Sequence, residues 1–291
     1  MLSCCQAVNM SILVVTDSRG RFLQSKLSDL LLQESRIYVR VIPGGTSQAA
    51  ELCIAESVTQ SGKIKILVIA IGICNLTKKI HDKESIRILY DLNDETRQTK
   101  IDILISSFNN IRNNPDCEKV LIATIPPVSL GKFFRAKNPG KPQPDFQLQQ
   151  QTLLEDITLI NKKITQINDS TGSPLIDWAR YFYNSSVKRR RSGSVRTKVV
   201  KFTDTNLSDG IHFNDKVREN CHERLAKILL ETHNSQQQQQ QLRQKLPNLI
   251  ITLDNDSSES EGEEEWDFKR LKSVCVIKSA EDGPTPPMSR N

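Results

Sequence analysis

With 291 residues, 37% of them hydrophobic and a mean hydropathy of −0.42, the chain can hold one sizeable domain plus extensions. No run approaches the ~18–20 apolar residues that cross a bilayer, which argues against a membrane span. The formal charge of +6 hides an asymmetry: residues 234–291 hold 7 Lys+Arg against 10 Asp+Glu, whereas the first 233 residues hold 33 against 24. The seven cysteines, at 4, 5, 53, 74, 117, 221 and 275, are odd in number and scattered, with no CxxC and no His-Cys spacing suited to zinc. Reduced thiols in the cytosol or nucleus, and no metal, are the expectation. The opening Met1-Leu2-Ser3-Cys4-Cys5 has neither the basic flank nor the apolar stretch of a secretory signal, again predicting an intracellular protein.

In chain order, short β-branched runs occur at Ser11–Val15, Ile37–Ile42, Ile64–Ile71, Lys119–Ile125 and Pro174–Asp177. They are nearly continuous in apolar character, as strands covered on both faces tend to be. Helix-period stretches separate them at 20–33, 47–59, 95–112 and 148–168, and a last one covers 214–231. This alternation predicts a three-layer α/β/α sandwich around a five-stranded parallel sheet of flavodoxin-like order, spanning 11–233. In such sheets ligands sit outside the carboxyl ends of the strands.

Two insertions interrupt the pattern. The Pro-, Gly- and Lys-rich "KFFRAKNPGKPQPDF" at 132–146 is expected to be a loop on the carboxyl side of the sheet. The basic stretch at 186–201 is expected to be exposed and mobile. Its Lys188-Arg189-Arg190-Arg191 run, with Arg196 and Lys198, could neutralise phosphates and makes nucleic acid a possible partner, although no aromatics are interleaved for base stacking. After His233, a glutamine run and the acidic "DNDSSESEGEEEWDF" predict a disordered tail over 234–291, because neither can bury enough apolar surface to repay ordering.

Four strand-end segments carry residues with chemical uses. The first strand ends at Asp17-Ser18, the second in "IPGGTSQ", the third in "IAIGICNLT", and the last helix is preceded by "LSDGIHFND". Ser18 is a nucleophile if a base removes its proton; His212 is a suitable base, and Asp209, three residues earlier, can orient its ring. Backbone amides near Ser18 and Gly45, with a side-chain donor from the third segment, could hold a developing oxyanion. Taken singly, each motif is more often a turn or a helix cap than a catalytic device.

Together these residues resemble the blocks of the SGNH/GDSL hydrolase superfamily. Thr16-Asp17-Ser18 resembles its Gly-Asp-Ser, Gly45 its oxyanion glycine, Gly72-Ile73-Cys74-Asn75 its Gly-x-Asn-Asp, and Asp209-Gly210-Ile211-His212 its Asp-x-x-His. Within the superfamily the chain is similar to divergent SGNH domains of invertebrate, mobile-element-associated proteins. The resemblance implies a cofactor-free serine esterase acting on a small ester, with Ser18, Asp209 and His212 as triad. Cys74 stands where that family has its oxyanion asparagine, and a thiol is a weak donor beside a carboxamide. Slow turnover is therefore expected, unless Asn75 substitutes; the alternative is a binding or scaffold protein that keeps the fold without useful catalysis. Asp17 and Arg19, flanking Ser18, are the substrate-proximal candidates. Arg19 either biases the site toward anionic substrates or points to solvent, the reading preferred.

Overall fold

The run Ile-Leu-Val-Val-Thr forms the central strand β1 (Ile12–Thr16) in a computed structural model that describes residues 12–30, 37–189 and 196–255. There follow α1 (Leu23–Leu30), β2 (Ile37–Val41), α2 (Ser47–Ser61), β3 (Ile64–Ala70), a single turn α3 (Ile73–Leu76), β4 (Thr77–His81) and β5 (Ile86–Tyr90). Then come α4 (Asp94–Arg112), β6 (Cys117–Ile122), α5 (Leu130–Lys137), α6 (Gln147–Asp169), β7 (Tyr183–Arg189), β8 (Arg196–Phe202) and α7 (Asp215–Asn255). The main sheet is parallel with strand order β2-β1-β3-β6. The pairs β4–β5 and β7–β8 are separate antiparallel hairpins.

Alternation along the strands builds the three layers. Successive side chains of a strand point to opposite faces. Leu13 and Val15 therefore enter one core, with Ile54 of α2, Leu104 and Phe108 of α4 and Ile157 of α6. Ile12 and Val14 enter the other, with Leu23 and Leu27 of α1 and Val217, Leu225 and Leu229 of α7. Helix starts follow local chemistry: Asn93 accepts from the Thr96 amide at 2.9 Å, with Asp94 and Glu95 placed favourably in the first turn of α4.

The sheet has four strands where five were expected. The run at 174–177 makes only one parallel bridge, Ala123 to Ile176. Pro174 has no N–H to donate, and Asp177 already turns the chain into a 3-10 segment at Ala179–Phe182. Carboxamides from α6 take over the outer side of β6 and the segment after it. Asn168 accepts from the Ile122 N–H at 3.1 Å and donates to the Ile122 carbonyl at 2.7 Å. Asn161 does the same for Ile125 at 2.7 and 2.9 Å, and Gln150 bonds the Leu130 N–H and the Val128 carbonyl, both at 2.9 Å. At the opposite edge Gln24 of α1 accepts from the Val39 N–H at 2.7 Å and donates to the Ile37 carbonyl at 3.0 Å.

Three other expectations are revised. The first part of 132–146 is helical, because Leu130, Phe133 and Phe134 form a buried face of α5 capped by Ser129. The basic segment is partly ordered as β7–β8, with residues 190–195 outside the described residues. The final helix continues through the glutamine run to Asn255, since Gln, Leu, Lys and Arg are good helix formers; residues 256–291 lie outside the described residues. The chain divides into two units, Met1–Gln238 and Gln239–Asn291, and every candidate site residue belongs to the first.

His222 of α7 is buried and borders a surface hollow that Phe22 and Lys26 also line, and no described helix is long and apolar enough to cross a membrane. Burial, reinforced by Arg218 and Lys26, pushes the His222 pKa down to about 4, Glu219 acting weakly the other way. The folded protein thus binds fewer protons than the unfolded chain between about pH 6.5 and 4, so stability falls as pH drops through that window and levels off below it. The slope is at most about 1.4 kcal/mol per pH unit. Urea midpoints measured from pH 7 to 4 should decline in the wild type and decline distinctly less in His222→Leu.

Candidate active site

The end of β1 is fixed by a buried ion pair. Asp17 starts a 3-10 turn over Ser18–Gly20, its carboxylate accepting from the Arg19 amide at 2.9 Å. Arg19 folds back so that its Nε lies 3.1 Å from both oxygens of Asp17 and its terminal nitrogen lies 2.6 Å from one of them. A second terminal nitrogen donates to the Pro126 carbonyl at 3.0 Å. Both side chains are only 2–3% exposed, so the expectation that Arg19 points to solvent is corrected. Burying a guanidinium is tolerable only with such a partner set. Ser18, between the pair, is left facing the cleft.

His212 arrives from a loop with no strand of its own. Its Nε2 lies 3.0 Å from Ser18 Oγ and its Nδ1 lies 2.9 Å from Asp209 Oδ2. The other Asp209 oxygen accepts from the backbone amides of Ile211 and His212 at 3.1 and 2.9 Å. Burial alone would raise the Asp209 pKa, but the His212 ring and these amides outweigh it and hold the carboxyl well below the usual range. Gly210 lies between the two residues at φ +92°, and a Cβ there would come within 2.4 Å of the Phe133 nitrogen. Only glycine lets the loop approach α5 so closely. The Gly210 carbonyl accepts from the Ser129 N–H at 2.8 Å, and Lys132 donates to the carbonyls of Asp204 and Leu207 at 2.9 and 2.6 Å.

The candidate oxyanion residues separate. Gly45's N–H is committed to the Ile42 carbonyl at 2.9 Å, within its own turn. Its neighbour Gly44, at φ +72°, lines the cleft instead. Asn75 turns away: it accepts from the Ser47 N–H at 2.9 Å and donates to Ser47 Oγ at 2.9 Å and Gln48 Oε1 at 3.2 Å. Asn75 therefore caps the start of α2 and has no donor left for the cleft. Cys74 does line the cleft, and burial with the nearby Asp17 charge raises its thiol pKa despite Arg19, keeping it protonated.

These groups open on a cleft of about 680 Å³. Ile73, Ile88, Val128, Phe133 and Ile211 make its apolar lining, and Arg21, Lys78, Lys79 and Lys137 bring positive charge. The hairpin β4–β5 and helix α5 wall it, Asn138 joining them by bonding the Ile86 N–H at 2.9 Å and the Ile86 carbonyl at 2.8 Å. Among the described residues no group of His, Cys, Asp and Glu could hold a metal ion. An imidazole held at one nitrogen by a carboxylate and facing a hydroxyl with the other can accept the hydroxyl proton. Removing one partner of a buried ion pair typically costs about 3–5 kcal/mol. Arg19→Ala should lower unfolding free energy by that order in a denaturant titration, while Arg21→Ala, one turn away and exposed, should change it little.

No protein-family model matches the chain, and no curated protein does. Among solved structures, the chain is similar to a GDSL-like lipase from Bacteroides thetaiotaomicron VPI-5482, at 13% identity and TM-score 0.49, over 77% of this chain and 88% of that one. An acetyl xylan esterase matches at 16% identity and TM-score 0.46, over 76% of this chain and 98% of that one. An aryl esterase from M. smegmatis matches at 13% identity and TM-score 0.44, over 77% of this chain and 100% of that one. All three scores lie below one half, so the reading of the site rests on its own geometry.

Proposed function

We propose that the chain is a serine esterase of the SGNH type, and that Ser18, His212 and Asp209 are its triad. One observation carries the reading: a continuous hydrogen-bonded path from hydroxyl to imidazole to carboxylate, 3.0 and 2.9 Å long, opening into a cleft. Ser18 Oγ attacks the ester carbonyl carbon as His212 Nε2 takes its proton. His212 then returns that proton to the departing alcohol, and the carbon–oxygen ester bond breaks to leave an acyl-serine. Water attacks the acyl-serine, its proton passing to His212 and then back to Ser18 as the free acid leaves. Asp209, ionised throughout the range in which an imidazole titrates, holds the ring and balances its transient charge. Asp17 acts beneath this machinery, since its carboxylate is spent on Arg19.

The oxyanion donors in this reading are the backbone amides of Ser18 and Gly44, with the Cys74 thiol as third. Gly45 and Asn75 are set aside because their hydrogen-bonding groups are already engaged. A thiol in place of a carboxamide predicts slow turnover, as losing one oxyanion donor typically costs about 10²–10³ in kcat. This is also the feature that favours the second reading, an SGNH-like fold retained for binding.

A fluorophosphonate probe separates the two. Covalent labelling of the wild type that is absent in Ser18→Ala, with short-chain ester hydrolysis lost in the same variant, is expected of the esterase. Equal hydrolysis by wild type and Ser18→Ala, with no labelling, defeats it. Cys74→Asn supplies the stronger donor and should raise kcat about tenfold or more on the same ester, below the full ~10²–10³ of a donor that evolved in place. A decrease would show that Cys74 does not face the oxyanion.

A further inference from the structure

Four cations converge on the cleft from separate parts of the chain: Arg21 just after the Ser18 turn, Lys78 and Lys79 on β4, and Lys137 at the end of α5. The strand register explains how Lys79 reaches in. It lies opposite Ile88, a cleft residue, and shares its face with Thr77, another. Lys137 stands 3.8 Å from Asp209 and 5.9 Å from the Phe133 ring, over the apolar lining. Among the described residues, Arg21, Lys78 and Lys79 form no ion pair. Among the described residues, the one carboxylate that lines the cleft, Asp17, is neutralised by Arg19. The cleft therefore carries an uncompensated positive charge beside an apolar surface.

We infer that the substrate is an ester bearing an anionic group, with an apolar portion lying along Ile73, Ile88, Phe133 and Ile211. This rests on the esterase reading and narrows it. Mutually repelling cations gathered over a concave surface are relieved by an anion, and such a surface raises the local concentration and encounter rate of anionic ligands by about 10–10³. A carboxylate on the acyl part and a phosphate on the alcohol part would satisfy the same chemistry, and the substrates chosen distinguish them.

The experiment compares kcat/KM for matched esters on the full chain. One pair is 4-nitrophenyl hemiglutarate against 4-nitrophenyl pentanoate; the other is 1-hexanoylglycerol 3-phosphate against 1-hexanoylglycerol. The expected result is a preference of about tenfold for the charged member of at least one pair at low salt, the low end of the steering range. Raising salt from about 0.01 to 1 M shrinks the screening length from ~30 to ~3 Å and should erase it. In Arg21→Gln/Lys79→Gln the ratio should collapse toward one. Equal use of both members by the wild type, preference for the neutral ones, or a ratio that survives the double variant overturns the inference.

If no ester is cleaved and the fluorophosphonate does not label Ser18, the esterase reading fails, and binding then decides the charge separately. Calorimetric titration with hexyl phosphate against hexanol should show salt-sensitive binding of the phosphate alone, lost in the double variant. No such binding overturns the inference.

Discussion

A buried carboxylate–guanidinium pair at the end of the central strand is the constraint from which the rest of the site follows. Two charges removed from water at that depth are sustainable only when each finds its complement, and Asp17 and Arg19 meet on both oxygens of the carboxylate. The guanidinium also reaches the Pro126 carbonyl, so the turn after β1 is fastened to the chain that leaves β6. Ser18 is the residue between the two anchors. Its direction is set by where its neighbours must bury, with no contribution needed from its own hydroxyl.

The imidazole is held by a different logic. No strand delivers it; a glycine pressed against the backbone of α5 does, with Ser129 and Lys132 gripping the same loop. Helix α5 and the β4–β5 hairpin also form the walls of the cleft. The elements that shape the cleft are thus the ones that locate the imidazole. Their link is short: Phe133 supplies a cleft wall and also the backbone nitrogen against which Gly210 packs.

Much of this was legible in the amino-acid order. Four of the five expected strands form, because runs such as Ile64–Ala70 are buried on both faces and stay almost wholly apolar, with Lys65 the single polar residue in that strand. The pairing of Asp209 with His212 was readable because the two lie three positions apart and the contact is local. Arg19 was misread because charge suggests water, and only the neighbouring Asp17, itself turned inward, makes burial possible. Turn geometry decides where Gly45 and Asn75 make their hydrogen bonds: which of two adjacent glycines faces the cleft depends on dihedral angles that composition does not record. The β4–β5 hairpin was invisible because Thr-Lys-Lys-Ile-His mixes charges into its pattern, and its turn is tied locally by Asp82 accepting from Ser85 and Glu84.

The carboxamides along the sheet margins have a consequence for how copies of this protein behave beside one another. An open row of strand amides and carbonyls is a template on which another chain can build. Here Gln24 occupies that row on β2, while Asn161 and Asn168 occupy it along β6 and the residues that follow. Each side chain offers one acceptor and one donor, the pair that an incoming strand would supply. The sheet is thereby partly covered at both margins by its own helices, which disfavours edge-to-edge pairing of the four-stranded parallel core.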